Sequence, residues 1–86
     1  MLVYIPSPLR SYTNNADKVT ATGGTLDQVL WQLDSTYPGI RFRIITEQDS
    51  VRKHIKIFVN ETLTEDLSTP VQPDNRIHIV CALSGG

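Results

Sequence analysis

"TLDQVLWQLDSTYPG", residues 25–39, decides the fold. Leu26, Val29, Leu30, Leu33 and Tyr37 recur at helical spacing and form one apolar stripe. Thr25 offers its hydroxyl as an N-cap, and Gln28, three residues on, completes a capping box. Asp27 falls in the first turn, where the helix dipole favours an anion. Pro38 and Gly39 stop the helix near Tyr37. Trp31 stands one position off the stripe and is expected to flank the core, with a position facing a partner as the alternative. One amphipathic helix cannot bury its own stripe, so it needs a sheet beneath it.

The strands lie on both sides of that helix. Before it, "LVYI" (2–5) is an apolar, β-prone run closed by Pro6 and Pro8, and "KVTAT" (18–22) alternates. These two are expected to form a hairpin across turn-forming residues 7–17, with Gly23-Gly24 turning the chain into the helix. After the helix, "IRFRII" (40–45) reads as a short helix or irregular turn, and "TEQDSVRKH" as a loop. "IKIFVN" (55–60) puts Ile55, Ile57 and Val59 on one face and Lys56 and Phe58 on the other. Leu63 and Leu67 punctuate a polar stretch that runs through Pro70 and Pro73. The last strand, "RIHIVCAL" (76–83), turns Ile77, Ile79 and Cys81 inward and His78, Val80 and Ala82 outward. The outcome is one α+β domain: a small mixed sheet with one main helix packed across one face. Periodicity leaves the strand order open.

Composition narrows the classes of function. The chain has 86 residues, 40% hydrophobic and 20% charged, which suits one globular domain. A net charge of −1 offers no global field toward nucleic acid or an anionic membrane. The single cysteine rules out an internal disulfide and fits a reducing compartment. "MLVYIPSPLR" has neither the basic lead of a signal peptide nor the length of a membrane span, so the cytoplasm is the expected location.

Few side chains look like stand-alone catalysts. Cys81 alternates with core residues and reads as a small buried hydrophobe rather than a nucleophile. His54, His78 and Cys81 lack metal-ligand spacing, so no metal is expected. Arg41, Arg43, Arg52, Lys53 and Lys56 are interrupted by Glu47 and Asp49, and read as a solvated face. Glu61, Glu65 and Asp66 read as a solvated loop. No Gly-rich loop with a lysine is present, so the chain is expected to bind no nucleotide itself. Phe58, His78 and Val80 lie opposite the core set, rimmed by Lys56 and Arg76, and make a candidate partner surface.

The remaining feature is the ending, "CALSGG" (81–86). Glycine carries no side-chain nucleophile, so the chemistry of this end belongs to the Gly86 carboxylate. Two glycines without Cβ atoms let the backbone thread a narrow channel. The order of elements and this diglycine resemble the ubiquitin-like β-grasp proteins. "YIPSPLRSYT", "GGTLDQVLWQLDSTYPGIRFRI", "IKIFVN" and the closing strand resemble the bacterial and archaeal sulfur carriers of that fold. Two positions depart from the family pattern: Cys81 stands where many carriers have proline, and Glu61 where many have glycine.

The resemblance implies a β-grasp domain over residues 1–82 and a flexible tail over 83–86. It implies that Gly86, preceded by Gly85, is adenylated and then thiocarboxylated to donate sulfur in cofactor or metabolite biosynthesis. It implies a ubiquitin-activating-type adenylating enzyme that holds ATP and Mg²⁺, a sulfur-accepting biosynthetic enzyme, and a protein that donates sulfur. Phe58, His78 and Val80 would guide docking, Leu83 would anchor the tail, and Ser84 would precede the glycines as a small polar residue. The chain itself would be a carrier and not an enzyme, and a monomer when alone. The alternatives are a ubiquitin-like modifier, in which a lysine amine attacks adenylated Gly86 to form an isopeptide, and a pure binding module with an idle tail.

Overall fold

A computed structural model of the chain describes residues 1–82. The chain runs β1 (Leu2–Tyr4), a 3₁₀ helix (Ser7–Thr13), β2 (Lys18–Thr20), α1 (Leu26–Thr36), α2 (Ile40–Ile44), β3 (Ile55–Val59), β4 (Thr62–Leu63) and β5 (Arg76–Cys81). Among the described residues the strands form one mixed sheet in the order β2-β1-β5-β3-β4. β1 pairs antiparallel with β2 and parallel with β5, while β3 pairs antiparallel with both β5 and β4. The expected hairpin of β1 and β2 is present, with Val3 opposite Val19.

The helix forms where the apolar spacing placed it. Leu26, Val29, Leu30 and Leu33 are buried, and Tyr37 packs at the margin. The Thr25 hydroxyl accepts the Gln28 amide at 3.2 Å. The return bond goes one residue further back than in a capping box, because Gln28 Oε1 accepts from Gly24 N at 2.8 Å. The amides of Leu26 and Asp27 donate to the Thr69 and Leu67 carbonyls at 2.9 and 2.8 Å. The helix start thus closes with the loop between β4 and β5. Gly23 makes the approach possible: its φ is +154°, and a Cβ there would lie 2.7 Å from Val29 N.

α1 covers one face of the sheet. Val3, Val19, Ile55, Ile57, Ile77 and Ile79 point into that core from the strands, with Ile40, Ile44 and Ile45 from α2 and its exit. Asp34 Oδ1 accepts the Gly39 and Arg41 amides at 3.1 and 3.0 Å, which turns α1 tightly into α2. No helix of the described residues is long and apolar enough to cross a membrane.

Three local expectations change. Residues 7–17 are not merely a turn: Ser7–Thr13 wind into a 3₁₀ helix with Leu9 and Thr13 buried. Proline near its start is compatible with that geometry, which is why a stretch rich in turn formers still coils. Thr62–Leu63 form a short edge strand after the Asn60 turn, where φ is +55°. Two residues are too few to show a period, so the pattern could not reveal them. Val71 is 4% exposed and belongs to the core, although it lies in a proline-rich loop.

Candidate functional site

The expected reactive tail, Leu83, Ser84, Gly85 and Gly86, lies outside the described residues. Its point of departure is defined. β5 is a central strand, and the Ala82 amide donates to the His54 carbonyl at 2.7 Å, extending the β3–β5 pairing by one rung. Cys81 packs against the core but is only half-buried, less enclosed than its alternation indicated. His54 is exposed.

The face opposite α1 carries an ordered row of side chains. Register places Tyr4 beside His78, His78 beside Phe58, and Phe58 beside Leu63, across β1, β5, β3 and β4. The Tyr4 and His78 rings stack with centroids 4.3 Å apart and planes 4° from parallel. Phe58 and His78 are half-buried, whereas Leu63 is 47% and Val80 43% exposed. Val80 sits across from Lys56 at one margin, and Lys18 extends the row beyond Tyr4. The three docking candidates read from the sequence, Phe58, His78 and Val80, therefore share one surface. Tyr4 and Leu63 lie on the same surface and were not among those candidates. Alternation in "LVYI" already turns Tyr4 away from Val3, but only the parallel β1–β5 pairing sets it against His78.

The basic set divides in a way the sequence did not announce. Arg43, Lys53 and Lys56 are exposed as expected, and Arg52 is half-buried. Arg41 is buried, with its residue only 7% exposed. Its Nη2 donates to Asp27 Oδ1 at 2.8 Å and reaches Asp49 Oδ1 at 3.5 Å. Its guanidinium carbon lies 4.0 Å from the centre of the Trp31 ring. This corrects two expectations. Arg41 is not part of a solvated face, because α1 brings Asp27 and Trp31 onto it. Trp31 does not flank the core; it is 54% exposed, and one face of its indole is covered by Arg41. Arg52 repeats the arrangement on a smaller scale, over the Phe42 ring at 4.5 Å with Nε donating to the Phe42 carbonyl at 2.6 Å.

A helix laid on one face of a mixed sheet in this strand order, with the opposite face bearing a half-exposed aromatic row, defines a ubiquitin-like β-grasp protein. The chain belongs to the ThiS family, whose sequence model matches residues 3–86. The sulfur carrier protein CysO of Mycobacterium tuberculosis (strain ATCC 25618 / H37Rv) is 30% identical over 89 residues, covering 98% of this chain and 96% of that protein. A chain in the crystal structure of the Amycolatopsis orientalis BexX/CysO complex superposes with a TM-score of 0.91 at 27% identity, covering 99% of this chain and 98% of its own. The crystal structure of Mycobacterium tuberculosis CysO gives 0.89 at 28% identity, over 95% and 98% of the two chains. Crystalline SAMP1 from Haloferax volcanii shares the fold at 18% identity, with a TM-score of 0.78 over 100% and 98% of the chains. The chain is thus a homologue of the CysO sulfur carriers.

Proposed function

We propose that this chain carries sulfur on the carboxyl group of Gly86. The observation that supports it best is that the family match runs to residue 86, so the diglycine falls within the region of likeness. A free carboxylate repels nucleophiles and has no good leaving group. A ubiquitin-activating-type partner, using ATP and Mg²⁺, joins it to AMP and releases pyrophosphate. Hydrosulfide then attacks the acyl carbon. The bond from that carbon to the AMP oxygen breaks, a C–S bond forms, AMP leaves, and the proton on sulfur is lost. The resulting thiocarboxylate delivers sulfur to a biosynthetic enzyme.

The folded body holds the tail for both encounters. Phe58, His78 and Val80, joined by Tyr4 and Leu63, form the docking face, and Leu83 and Ser84 lead the glycines into the partner. The protein supplies a surface and a carboxyl group; the activating enzyme supplies the nucleotide and the metal.

Intact mass of the protein isolated from its native cell tests this reading. Replacement of one oxygen by one sulfur at the C-terminus is the expected result. A ladder of lysine-linked conjugates without that mass change overturns it in favour of the modifier. Absence of both, with ATP and the activating enzyme supplied, leaves only a binding module.

A further inference from the structure

β5 outruns β1, and the reason lies in one residue. Even-numbered β5 positions bond to β3: Asn60 N donates to Arg76 O at 2.6 Å, and Ala82 N donates to His54 O at 2.7 Å. The alternation of an antiparallel ladder then directs the backbone groups of Ile77, Ile79 and Cys81 toward β1. The parallel β1–β5 register ends at Tyr4 beside His78. A longer β1 would offer residue 6 next: its N–H to the Ile79 carbonyl, its carbonyl to the Cys81 N–H. Residue 6 is proline and has no N–H. Its carbonyl is taken by Leu9 N at 2.9 Å, where the 3₁₀ helix begins. Ile5 N has turned the other way, to Asp17 O at 2.8 Å.

The Ile79 carbonyl and the Cys81 amide therefore have no hydrogen-bond partner among the described residues. They face an open groove of about 420 Å³ lined by Tyr4, Pro6, Pro8, Arg10, Val80 and Cys81, among others. The groove is an interrupted sheet edge whose walls mix apolar side chains with Arg10 and Asp17. One residue of an incoming strand, in register with position 6, satisfies both groups.

We propose that this edge, Ile79 to Cys81, is a strand-addition site for an extended segment of the adenylating enzyme. The inference rests on the reading of Gly86 as the adenylated group. The occupant follows from reach. Cys81 and Gly86 are five positions apart, and a chain spans at most ~3.6 Å per residue, so an enzyme holding the Gly86 carboxyl lies within roughly 18 Å of this edge. Main-chain pairing supplies affinity with little demand on side chains, and it would hold β5 straight where the tail begins.

The experiment uses the full chain with the adenylating enzyme of its own genome, followed by ATP–pyrophosphate exchange. Cys81→Pro removes the amide donor without removing a β3 bond, because that amide points away from β3. Cys81→Ala changes only the side chain. A net hydrogen bond corresponds to roughly a fivefold effect, so Cys81→Pro should raise KM about fivefold while Cys81→Ala leaves it unchanged. Hydrogen exchange of the wild-type chain should show the Cys81 amide slowed on complex formation, a readout that does not depend on the variant folding. An unchanged KM for folded Cys81→Pro, or a Cys81 amide that exchanges as fast in the complex as alone, overturns the site while leaving the sulfur-carrier reading intact. If the wild-type chain supports no exchange with that enzyme, both fall.

Discussion

Tyr4 and His78 are direct neighbours in the parallel β1–β5 register, and their rings stack 4.3 Å apart. The pair sits at the middle of the outer row, with Phe58 next along. An aromatic contact of this kind contributes about 0.5–1.5 kcal/mol beyond simple burial. His78→Ala should therefore lower stability in urea by about 1 kcal/mol and leave the fold in place. The double variant Phe58→Ala/His78→Ala should raise KM for adenylation by on the order of tenfold, since buried aromatic anchors dominate small interfaces. Unchanged KM would remove this face from the docking model.

Arg41 is expected to depend on its two carboxylates unequally. Asp27 lies 2.8 Å away with its side chain 39% exposed, and Asp49 lies 3.5 Å away at 74%. Solvent screens the second pair far more than the first. Asp27→Ala should cost about 1–3 kcal/mol, because a buried guanidinium loses its nearer acceptor. Asp49→Ala should stay within ~0.5 kcal/mol. Chemical denaturation of the two variants side by side checks the order.

Gly23→Ala is expected to be among the most damaging single-methyl changes. The backbone there has φ +154°, and the added Cβ would stand 2.7 Å from the Val29 amide nitrogen at the start of α1. Backbone strain alone costs about 1–3 kcal/mol, and the clash adds to it. A thermal melt should shift down by at least ~5 °C for a domain of this size.

The loop that closes on α1 should loosen in acid. Asp66 Oδ1 accepts from the Ser68 hydroxyl at 2.6 Å and the Ser68 amide at 2.9 Å. The hydroxyl first, then the amide, hold this carboxyl below the usual aspartate range. A depressed folded-state value means the contribution is complete above the ordinary aspartate range and is lost as pH falls through the folded value. Asp66→Asn should abolish that dependence. Amide shifts of Ser68 and Thr69, followed by NMR through an acid titration, report the change directly.

Deleting Gly86 should stop adenylation and leave the melting curve of the domain unchanged. Among the described residues the core runs from Val3 to Ile79. A truncated chain that still acquires sulfur would place the reactive group elsewhere.

Much of this protein follows from local pattern. Leu26, Val29, Leu30 and Leu33 declare one helical face, and Ile55, Ile57, Ile77 and Ile79 declare the inner sides of two strands, because burial of alternate or every-third-or-fourth residues is a property of the chain itself. Phe58, His78 and Val80 follow from the same alternation, and the likeness to sulfur carriers comes from stretches that any reader of the sequence can see. Other features required the third dimension. Pairing β1 in parallel with β5 brings Tyr4 onto His78 across more than seventy positions of chain, and no period within either segment encodes that meeting. Folding α1 back over α2 buries Arg41 against Asp27 and Trp31, reversing what a run of basic residues suggests. Among the described residues, the edge at Ile79 and Cys81 goes unpaired where the register would bring Pro6 alongside, because Pro6 has no N–H and its carbonyl is taken by Leu9 N. Hydrophobic periodicity selects which side of an element is buried, but it carries no information about which element lies alongside; that is decided when the long-range contacts form.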